Sequence, residues 1–249
     1  ATRLVKEGAA DAVVSAGITG GQMFAALFGL GRIKGVSRPA IGCIIPTMAG
    51  GRLLVDSGAN TNVYVEILVQ FAQMGSIYMH SVMGIAAPKV GLINNGSEET
   101  KGSELTQAAY QRLAELSDIN FIGNIEGRDV PAGAADVMTC DGFTGNVVLK
   151  TMEGMAKVIM TMLEQEVMAS MRCKTGALLM KPALRSLKHK MDYAEYGGAP
   201  LLGVNGVSVV CHGSSKAKAI SKAIEVACHC CESNFVEKIK GNFTQNRES

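Results

Sequence analysis

The sequence predicts an α/β protein, in which a mostly parallel sheet is covered by helices on both faces to give a three-layer α/β/α sandwich. Short apolar runs alternate along the chain with longer segments whose apolar residues recur at helical spacing. The run 207–211 contains no polar residue except Ser208, as expected of a strand covered on both sides. Glycine is abundant, with 29 residues against 6 prolines, which is typical of tight strand-to-helix turns.

The elements are predicted in chain order from these two periodicities. The chain begins with Ala1, has no initiating methionine and soon reaches an apolar strand, so we expect it to start inside a strand–helix repeat, with its N-terminal segment missing. Strands are predicted at 11–16, 40–46, 52–56, 89–94, 119–125, 135–140 and 206–212. Helices are predicted at 20–33, 62–86, 103–116, 145–170, 178–191 and 214–237. We treat 1–249 as a single domain.

Composition limits the function classes. Of the 249 residues, 47% are hydrophobic and 18% are charged, which is enough apolar material for one or two cores. The net charge of +2 creates no global field, so we expect no nucleic-acid partner. An odd number of cysteines, seven, at irregular spacings indicates a reducing cytoplasm. The stretch 67–88 lacks charged residues, but polar residues dilute it at near-helical spacing, so we predict a buried helix there.

The cysteine cluster at 228–231 is a possible metal site. On a helix, however, only Cys228 and Cys231 share a face, and no second pair offers the remaining ligands. We therefore interpret these cysteines as small core residues and expect no metal and no cofactor.

Five strand ends carry a glycine-containing polar turn that opens a helix, at 15–21, 56–60, 94–102, 141–146 and 212–215. In an open α/β sheet such turns meet at the carboxyl edge, where ligands bind. Glycine lets the backbone approach a ligand, and N–H groups at a helix start favour anions. For any one turn an ordinary helix cap is the better explanation, but the repetition of five such turns favours an anion site.

Motifs for covalent or nucleotide chemistry are absent. The sequence has no Walker phosphate loop, no Gly-x-Gly-x-x-Gly after a strand and no Gly-x-Ser-x-Gly elbow. Of the four histidines, His212 alone follows a strand in the manner of a site residue. The site is therefore predicted to hold an anion and not to supply a covalent nucleophile.

At these same turns the sequence resembles the phosphate acyltransferase family of bacterial phospholipid synthesis. The most specific stretches are NFIGNIEGRD at 120–129 and DGFTGNVVLK at 141–150, and the resemblance covers essentially the whole chain. Two features depart from the family. Its N-terminal Asp-Ala-Met-Gly-Gly-Asp segment is absent, and Ile18 stands where asparagine is usual.

The resemblance implies a fold like that of isopropylmalate dehydrogenase and phosphotransacetylase. It also implies the reaction, in which acyl carrier protein thioester and inorganic phosphate give acyl phosphate and free carrier. Because phosphate is itself the nucleophile, the protein needs only to orient it, offset its charge and stabilise the thioester oxyanion. A homodimer and a cytoplasmic enzyme that contacts the membrane peripherally are implied as well.

Candidate site residues come from the turns that carry the resemblance. Those predicted to be catalytic are Asn60, Arg128, Thr144, Asn146 and Lys150. Those predicted to bind phosphate or substrate are Ser15, Gly17, Thr19, Gly20, Gly58, Asn94, Glu98, Lys101, Gly102, Glu126, Asp141, Gly145, His212 and Ser214. Glu98 and Glu126 are expected either to orient the cations or to solvate a loop.

A helical hairpin is predicted at about 155–192, with an apolar tip beside a basic helix. The tip follows a turn expected at Thr175-Gly176, and its docking residues are Leu178, Leu179, Lys181, Arg185 and Lys188. A basic amphipathic helix suits an anionic membrane surface, and it equally suits an acidic carrier protein. It is also compatible with a solvated face above a dimer contact.

Three other functions remain open from the residues. A phosphotransacetylase-like enzyme with a coenzyme A thioester shares the anion-binding turns but does not need the basic hairpin. A nicotinamide-dependent decarboxylating dehydrogenase needs clustered aspartates for a metal, and here the aspartates are scattered. An inactive docking module for carrier protein or membrane is compatible with the absent N-terminal segment and with Ile18.

Overall fold

The computed structural model describes residues 1–191 and 193–245, which form two mixed sheets surrounded by helices. The strands are β1 (Ala12–Ser15), β2 (Ala40–Ile41), β3 (Cys43–Thr47), β4 (Gly50–Val55), β5 (Lys89–Asn94), β6 (Asn120–Glu126), β7 (Val137–Thr139), β8 (Ala199–Leu202) and β9 (Val207–Val210). The first sheet has the order β1-β9-β8-β2, and the second has the order β3-β4-β7-β5-β6.

The helices lie before, between and after these strands. They are α1 (Thr2–Lys6), α2 (Thr19–Gly29), α3 (Val65–Ser81), α4 (Glu104–Ala114), α5 (Gly142–Met168), α6 (Met171–Leu179), α7 (Lys181–Lys190), α8 (Ala217–Glu232) and α9 (Phe235–Gln245). A short 3-10 helix, Tyr193–Tyr196, connects α7 to β8. Among the described residues, no helix is long and apolar enough to cross a membrane.

The α/β class is confirmed, and the strand pairing is more mixed than predicted. Strands β1/β9, β4/β7, β5/β7 and β5/β6 pair in parallel. Strands β2/β8, β8/β9 and β3/β4 pair antiparallel. The parallel strands β4, β7, β5 and β6 end at one edge of the second sheet, where Val55 pairs with Thr139 and Asn94 with Glu126.

Local backbone chemistry explains where the observed elements differ from the predicted ones. The predicted strand 40–46 is divided at Gly42, where a Cβ atom would lie 3.0 Å from Leu53 Cδ1, and the chain passes there from one sheet to the other. The predicted helix 214–237 is two helices, because Asn234 adopts a left-handed φ of 52° between them. The predicted helix 178–191 is likewise divided, with α6 ending and α7 beginning at Met180.

Helix α3 is the buried helix predicted from the uncharged stretch. Leu68, Phe71 and Met74 on this helix are at most 1% exposed. A Cβ atom on Gly75 would lie 2.6 Å from Val137 Cγ1, so the helix packs closely on the second sheet.

Candidate functional site

The predicted turns lie at the carboxyl ends of parallel strands in both sheets. On the first sheet, the turns after β1 and β9 adjoin, because the Cys211 N–H donates to the Ser15 carbonyl at 2.8 Å. On the second sheet, the turns after β4, β7 and β5 follow strands that pair with one another. The sheets meet beside residues 56–60, where the Ser57 N–H donates to the Ile41 carbonyl at 3.0 Å.

A buried carboxylate organises residues 56–60, hereafter the Asp56 turn. Asp56 is 0% exposed. Its Oδ1 accepts from the N–H of Ile41 at 3.0 Å, and its Oδ2 accepts from the N–H and the side-chain amide of Asn60 at 2.6 and 2.9 Å. Burial raises the pKa of Asp56, while hydrogen bonds from Ile41, Asn60 and Ala59 act in the opposite direction. The Asn60 amide also donates to the Pro39 carbonyl at 2.8 Å, so it holds this turn in place.

Two glycines let the start of α5 pack directly on the Asp56 turn. The Gly142 N–H donates to the Asn60 carbonyl at 2.7 Å. A Cβ atom on Gly142 would lie 2.7 Å from Asn60 N, and one on Gly145 would lie 2.0 Å from the carbonyl oxygen of Asp56. Only glycine allows this close approach, so the contact requires glycine at both positions 142 and 145. Asn146 then lies against Gly58.

The first N–H groups of α5 already have partners within the protein. Asp141 Oδ1 accepts from the N–H groups of Phe143 and Thr144, both at 2.9 Å, and its Oδ2 accepts from the Thr144 hydroxyl at 2.7 Å. The Gly145 N–H donates to the Asp141 carbonyl at 2.9 Å. Asp141 is therefore the helix cap, and the expectation of free N–H groups at this helix start is wrong.

The start of α2 has the free donors that α5 lacks. Its N-cap residue is Ile18, which offers no side-chain cap. Within residues 1–191 and 193–245, the N–H groups of Gly20 and Gly21 have no hydrogen-bond partner. Thr19 and both glycines are exposed. Together with Ser15 and Gly17, this turn is suited to receive an anion.

Loop 94–102 is folded on itself at the ends of β5 and β6. The Asn94 amide donates to the Lys101 carbonyl at 3.1 Å, and the Asn124 amide donates to the Glu98 carbonyl at 2.8 Å. Gly102 has a φ of +95°, and a Cβ atom there would lie 2.3 Å from Asn94 Oδ1. The side chain of Lys101 is exposed.

The three predicted cations differ in their pairing. Arg128 pairs with Glu126 at 2.7 Å, and Lys150 pairs with Glu153 at 2.7 Å. Lys150, which is predicted to be catalytic, therefore bonds towards the C-terminal end of α5 and not towards the start of this helix. Lys101 makes no ion pair with any described residue, so its charge is available to an anion.

His212 and Ser214 form one small exposed unit. His212 Nδ1 lies 2.7 Å from Ser214 Oγ and 3.2 Å from the Ser214 N. Since the Ser214 N–H donates to it, Nδ1 is the acceptor nitrogen, and the ring proton is on Nε2. The adjacent Gly213 faces the turn after β1, where a Cβ atom would lie 4.0 Å from the Ala16 carbonyl.

A cavity of about 340 Å³ connects the Asp56 turn, the start of α5 and the start of α4. It is lined by Thr61, Asn62, Val63, Leu105, Asp141 and Phe143. Asp141 alone among these is a predicted site residue. Residues 61–63 and Leu105 meet the start of α5 only through tertiary packing, although an apolar Phe143 in a polar turn was a signal.

The cysteines near this edge are poor nucleophiles. Cys140 is buried with its Sγ 3.9 Å from the Asp56 carbonyl, and burial followed by the charges of Asp141 and Asp56 raises its pKa well above the usual value. Burial raises the pKa of Cys43 to about 12. Since the thiolate is the reactive form, neither residue is suited to attack a thioester. In the described part of the chain, no group of three or more acidic, histidine or cysteine side chains could hold a metal.

The hairpin region consists of the end of α5 with α6 and α7. Leu178 and Leu179 are 68% and 80% exposed, and Lys181 and Arg185 are exposed. The side chain of Lys188 lies outside the described residues. Thr175 and Gly176 lie inside α6, so the turn predicted there is wrong; the helices meet at Met180.

Solved structures identify the fold class. A phosphotransacetylase from Streptococcus pyogenes is similar with a TM-score of 0.61 and 17% identity, over 95% of this chain and 66% of that one. The EutD phosphotransacetylase of Staphylococcus aureus gives a TM-score of 0.60 and 15% identity, over 93% of this chain and 66% of that one. At these identities the likeness defines the fold alone.

The sequence comparisons identify the family. The family model described as fatty acid synthesis protein matches residues 1–238, and the chain belongs to this family. The phosphate acyltransferase of Desulfitobacterium hafniense (strain DSM 10664 / DCB-2) is 59% identical over 241 residues, covering 96% of this chain and 72% of that protein. The phosphate acyltransferase of Heliobacterium modesticaldum is 59% identical over 240 residues, covering 96% of this chain and 71% of that protein.

Asp56→Asn is expected to lower the free energy of unfolding by about 2 kcal/mol, because the new NH2 group would face N–H donors and leave buried groups unpaired. Asp129→Asn is the control, since Asp129 is half-buried and its side chain accepts a single N–H among the described residues, from Glu126 at 2.9 Å. Urea unfolding of both variants measures the difference. Equal midpoints for the two would contradict the organising role of Asp56.

Proposed function

We propose that this chain transfers a fatty acyl group from the thioester of acyl carrier protein to inorganic phosphate, which releases acyl phosphate and the free carrier. The observation that carries the proposal is the 59% identity to a phosphate acyltransferase over 96% of the chain. The arrangement of glycine turns at the carboxyl edge is compatible with this chemistry. A fold shared with phosphotransacetylases is compatible with it as well.

Phosphate is assigned to donors at the carboxyl edge that have no partner among the described residues. These are the N–H groups of Gly20 and Gly21 at the start of α2 and the ammonium group of Lys101. The cavity beside Asp141 and Phe143 is assigned to the thioester end of the acyl group, because polar and apolar side chains both line it. The residues of these turns position the reactants and do not form covalent bonds with them.

The reaction requires one displacement. A phosphate oxygen attacks the thioester carbonyl carbon, and the electrons of the C=O bond form an oxyanion. When the carbonyl re-forms, the C–S bond breaks, the carrier thiolate leaves, and it takes up a proton. Hydrogen-bond donors and a cation near the oxyanion and the phosphate lower this barrier, because they are already oriented before the reaction.

The test is incubation of the chain with acyl-carrier protein and phosphate, followed by trapping of acyl phosphate with hydroxylamine. We expect phosphate-dependent acyl hydroxamate, also in the presence of a chelator. Acyl coenzyme A is then offered as the acyl donor in place of acyl-carrier protein. Product from acyl coenzyme A would indicate a phosphotransacetylase-like enzyme. No product from either donor, while carrier protein still binds, would instead define an inactive docking module.

Lys101→Met is expected to raise the KM for phosphate roughly ten- to hundredfold, since a charge-assisted hydrogen bond contributes about 1.5–3 kcal/mol. Lys157→Met, on the exposed face of α5, is the matched control. Steady-state kinetics at varied phosphate measure both variants. An unchanged KM for Lys101→Met would remove Lys101 from the phosphate site.

The hairpin is proposed to hold the enzyme at an anionic membrane surface. Its exposed Leu178 and Leu179 are adjacent to the exposed cations Lys181 and Arg185, a combination typical of peripheral membrane contact. The base of the hairpin is tied to the body of the protein, because Glu195 pairs with His189 at the end of α7 and with Lys218 on α8. The hydrogen bond from Lys218 is the main cause that lowers the pKa of Glu195.

A homodimer is proposed through α5. Met155, Val158, Ile159 and Met162 are 53%, 50%, 49% and 59% exposed, at positions that share one face of this helix. A second copy of the chain would cover such a stripe, as helices do in coiled coils. The test is to compare the molar masses of Ile159→Glu and the wild-type chain by light scattering. If this stripe holds two copies together, the variant should have the lower mass.

A further inference from the structure

A buried polar pair joins α2 to the first sheet close to the turn after β1, and the function proposed above makes no use of it. Gln22, in the first turn of α2, is 7% exposed, and Ser208, on β9, is 1% exposed. Ser208 is also the one polar residue of the apolar run 207–211. The Gln22 Nε2 donates to Ser208 Oγ at 3.1 Å and to the Val209 carbonyl at 2.9 Å.

The Val209 carbonyl fixes which end of the Gln22 amide faces the strand. A backbone carbonyl only accepts hydrogen bonds, so the amide nitrogen of Gln22 points at it. On the neighbouring strand β8, Pro200 lies opposite Val209 and has no N–H, so β8 offers no donor to this carbonyl. Gln22 supplies a donor from the helix. Because hydrogen bonds are directional, the two bonds define one position of α2 on the strand.

Gln22 is the first buried residue of α2, and it is the anchor nearest to the start of this helix. Ile18 provides no side-chain cap, and residues 19–21 are exposed. The next buried residue, Ala26, lies one turn further along and makes apolar contacts. Apolar contacts are not directional, so they allow the start of the helix to shift on the sheet. The bonds of Gln22 do not allow this shift.

We propose that Gln22 is a positioning residue for phosphate, because its bonds to β9 hold the N–H groups of Gly20 and Gly21 in one orientation. The inference rests on the proposed function, which assigns phosphate to these N–H groups. Donors lower a reaction barrier when their orientation is fixed before the reaction. Gly20 and Gly21 have no side chains with which to fix it, so the residue that follows them does so.

The test is Gln22→Met, which keeps the length of the side chain and removes its donor. We expect the dissociation constant of inorganic phosphate, from a backbone-amide NMR titration of the full chain, to rise about tenfold. In the hydroxamate assay the KM for phosphate should rise by the same factor, while the KM for acyl-carrier protein should be unchanged. A loss of folded protein alone would lower the apparent kcat and leave both KM values as they are.

Gln73→Met is the control for stability. Gln73 is 5% exposed on α3, and its amide donates to Asp118 Oδ2 at 2.8 Å, so the same substitution removes a hydrogen bond of a buried glutamine on another helix. We expect a lower Tm in both glutamine variants and a weaker phosphate affinity in Gln22→Met alone. Ser208→Ala removes one of the two bonds of Gln22, so its phosphate affinity should lie between those of the wild-type chain and Gln22→Met.

An unchanged phosphate affinity in Gln22→Met, together with a lower Tm, would overturn the proposal, because the polar pair would then serve stability alone. Equal losses of phosphate affinity in Gln22→Met and Gln73→Met would overturn it as well. The proposed function fails separately, if the wild-type chain binds inorganic phosphate but forms no acyl hydroxamate. In that case the dissociation constants of the variants still decide the role of Gln22. A wild-type chain that does not bind inorganic phosphate would contradict both.

Discussion

Gly145→Ala is expected to lower the free energy of unfolding by about 3 kcal/mol and to remove phosphate-dependent turnover. The added Cβ atom would lie 2.0 Å from the carbonyl oxygen of Asp56 and 3.0 Å from its carbonyl carbon. Both are backbone atoms, so no side chain can rotate away. Relief requires α5 to move from the Asp56 turn, which separates Asn146 from Gly58 and Gly142 from Asn60.

Gly154→Ala is the matched control, because it makes the same change on the same helix at a position where no atom of the described residues lies within 4 Å of the new Cβ. Alanine is the better helix former by about 1 kcal/mol, so this variant should be stabilised and active. Urea unfolding, with midpoints compared at constant m value, measures the stability of both variants. Turnover with acyl-carrier protein measures their activity. A Gly145→Ala protein with wild-type midpoint and turnover would show that the close contact is not needed by the site.

The fold class was predictable because buried strands and amphipathic helices have different apolar periods. Strand β8 (Ala199–Leu202) was missed, since Pro200 and the flanking Gly198 and Gly203 are typical of a turn. This strand forms because it pairs with β9, where Ala199 lies opposite Val210, and such a tertiary contact is not visible in the local sequence. The division at Gly42 was missed for the same reason, because the neighbouring residues Leu53 and Leu202 are distant in sequence.

The position of the turns was predictable, but the partners of their side chains were not. Glycines after apolar strands indicated the turns. The sequence did not show that Lys150 bonds to Glu153 or that Asp141 uses the first N–H groups of α5. Asp56 was passed over as a site residue, although an acid directly after the apolar run 53–55 was a signal that a buried carboxylate organises the turn.

Replacing both Leu178 and Leu179 by Asp is expected to release the protein from anionic vesicles. These leucines are 68% and 80% exposed at the end of α6, so they are free to enter lipid. Burial of two leucines contributes about 3–5 kcal/mol, which corresponds to a loss of roughly a hundredfold or more in partitioning. Nearby cations add about 1 kcal/mol each against an anionic surface.

Vesicle sedimentation measures the release, with Leu4→Asp as control, because Leu4 is 51% exposed on α1, outside the hairpin. Salt should weaken wild-type binding only partly, since it screens the contribution of the cations but not that of the leucines. Turnover in solution should be retained by the double variant; its loss with acyl-carrier protein would assign the tip to carrier docking. If the double variant unfolds or changes its oligomeric state, the two leucines belong to a protein contact, and the membrane proposal fails.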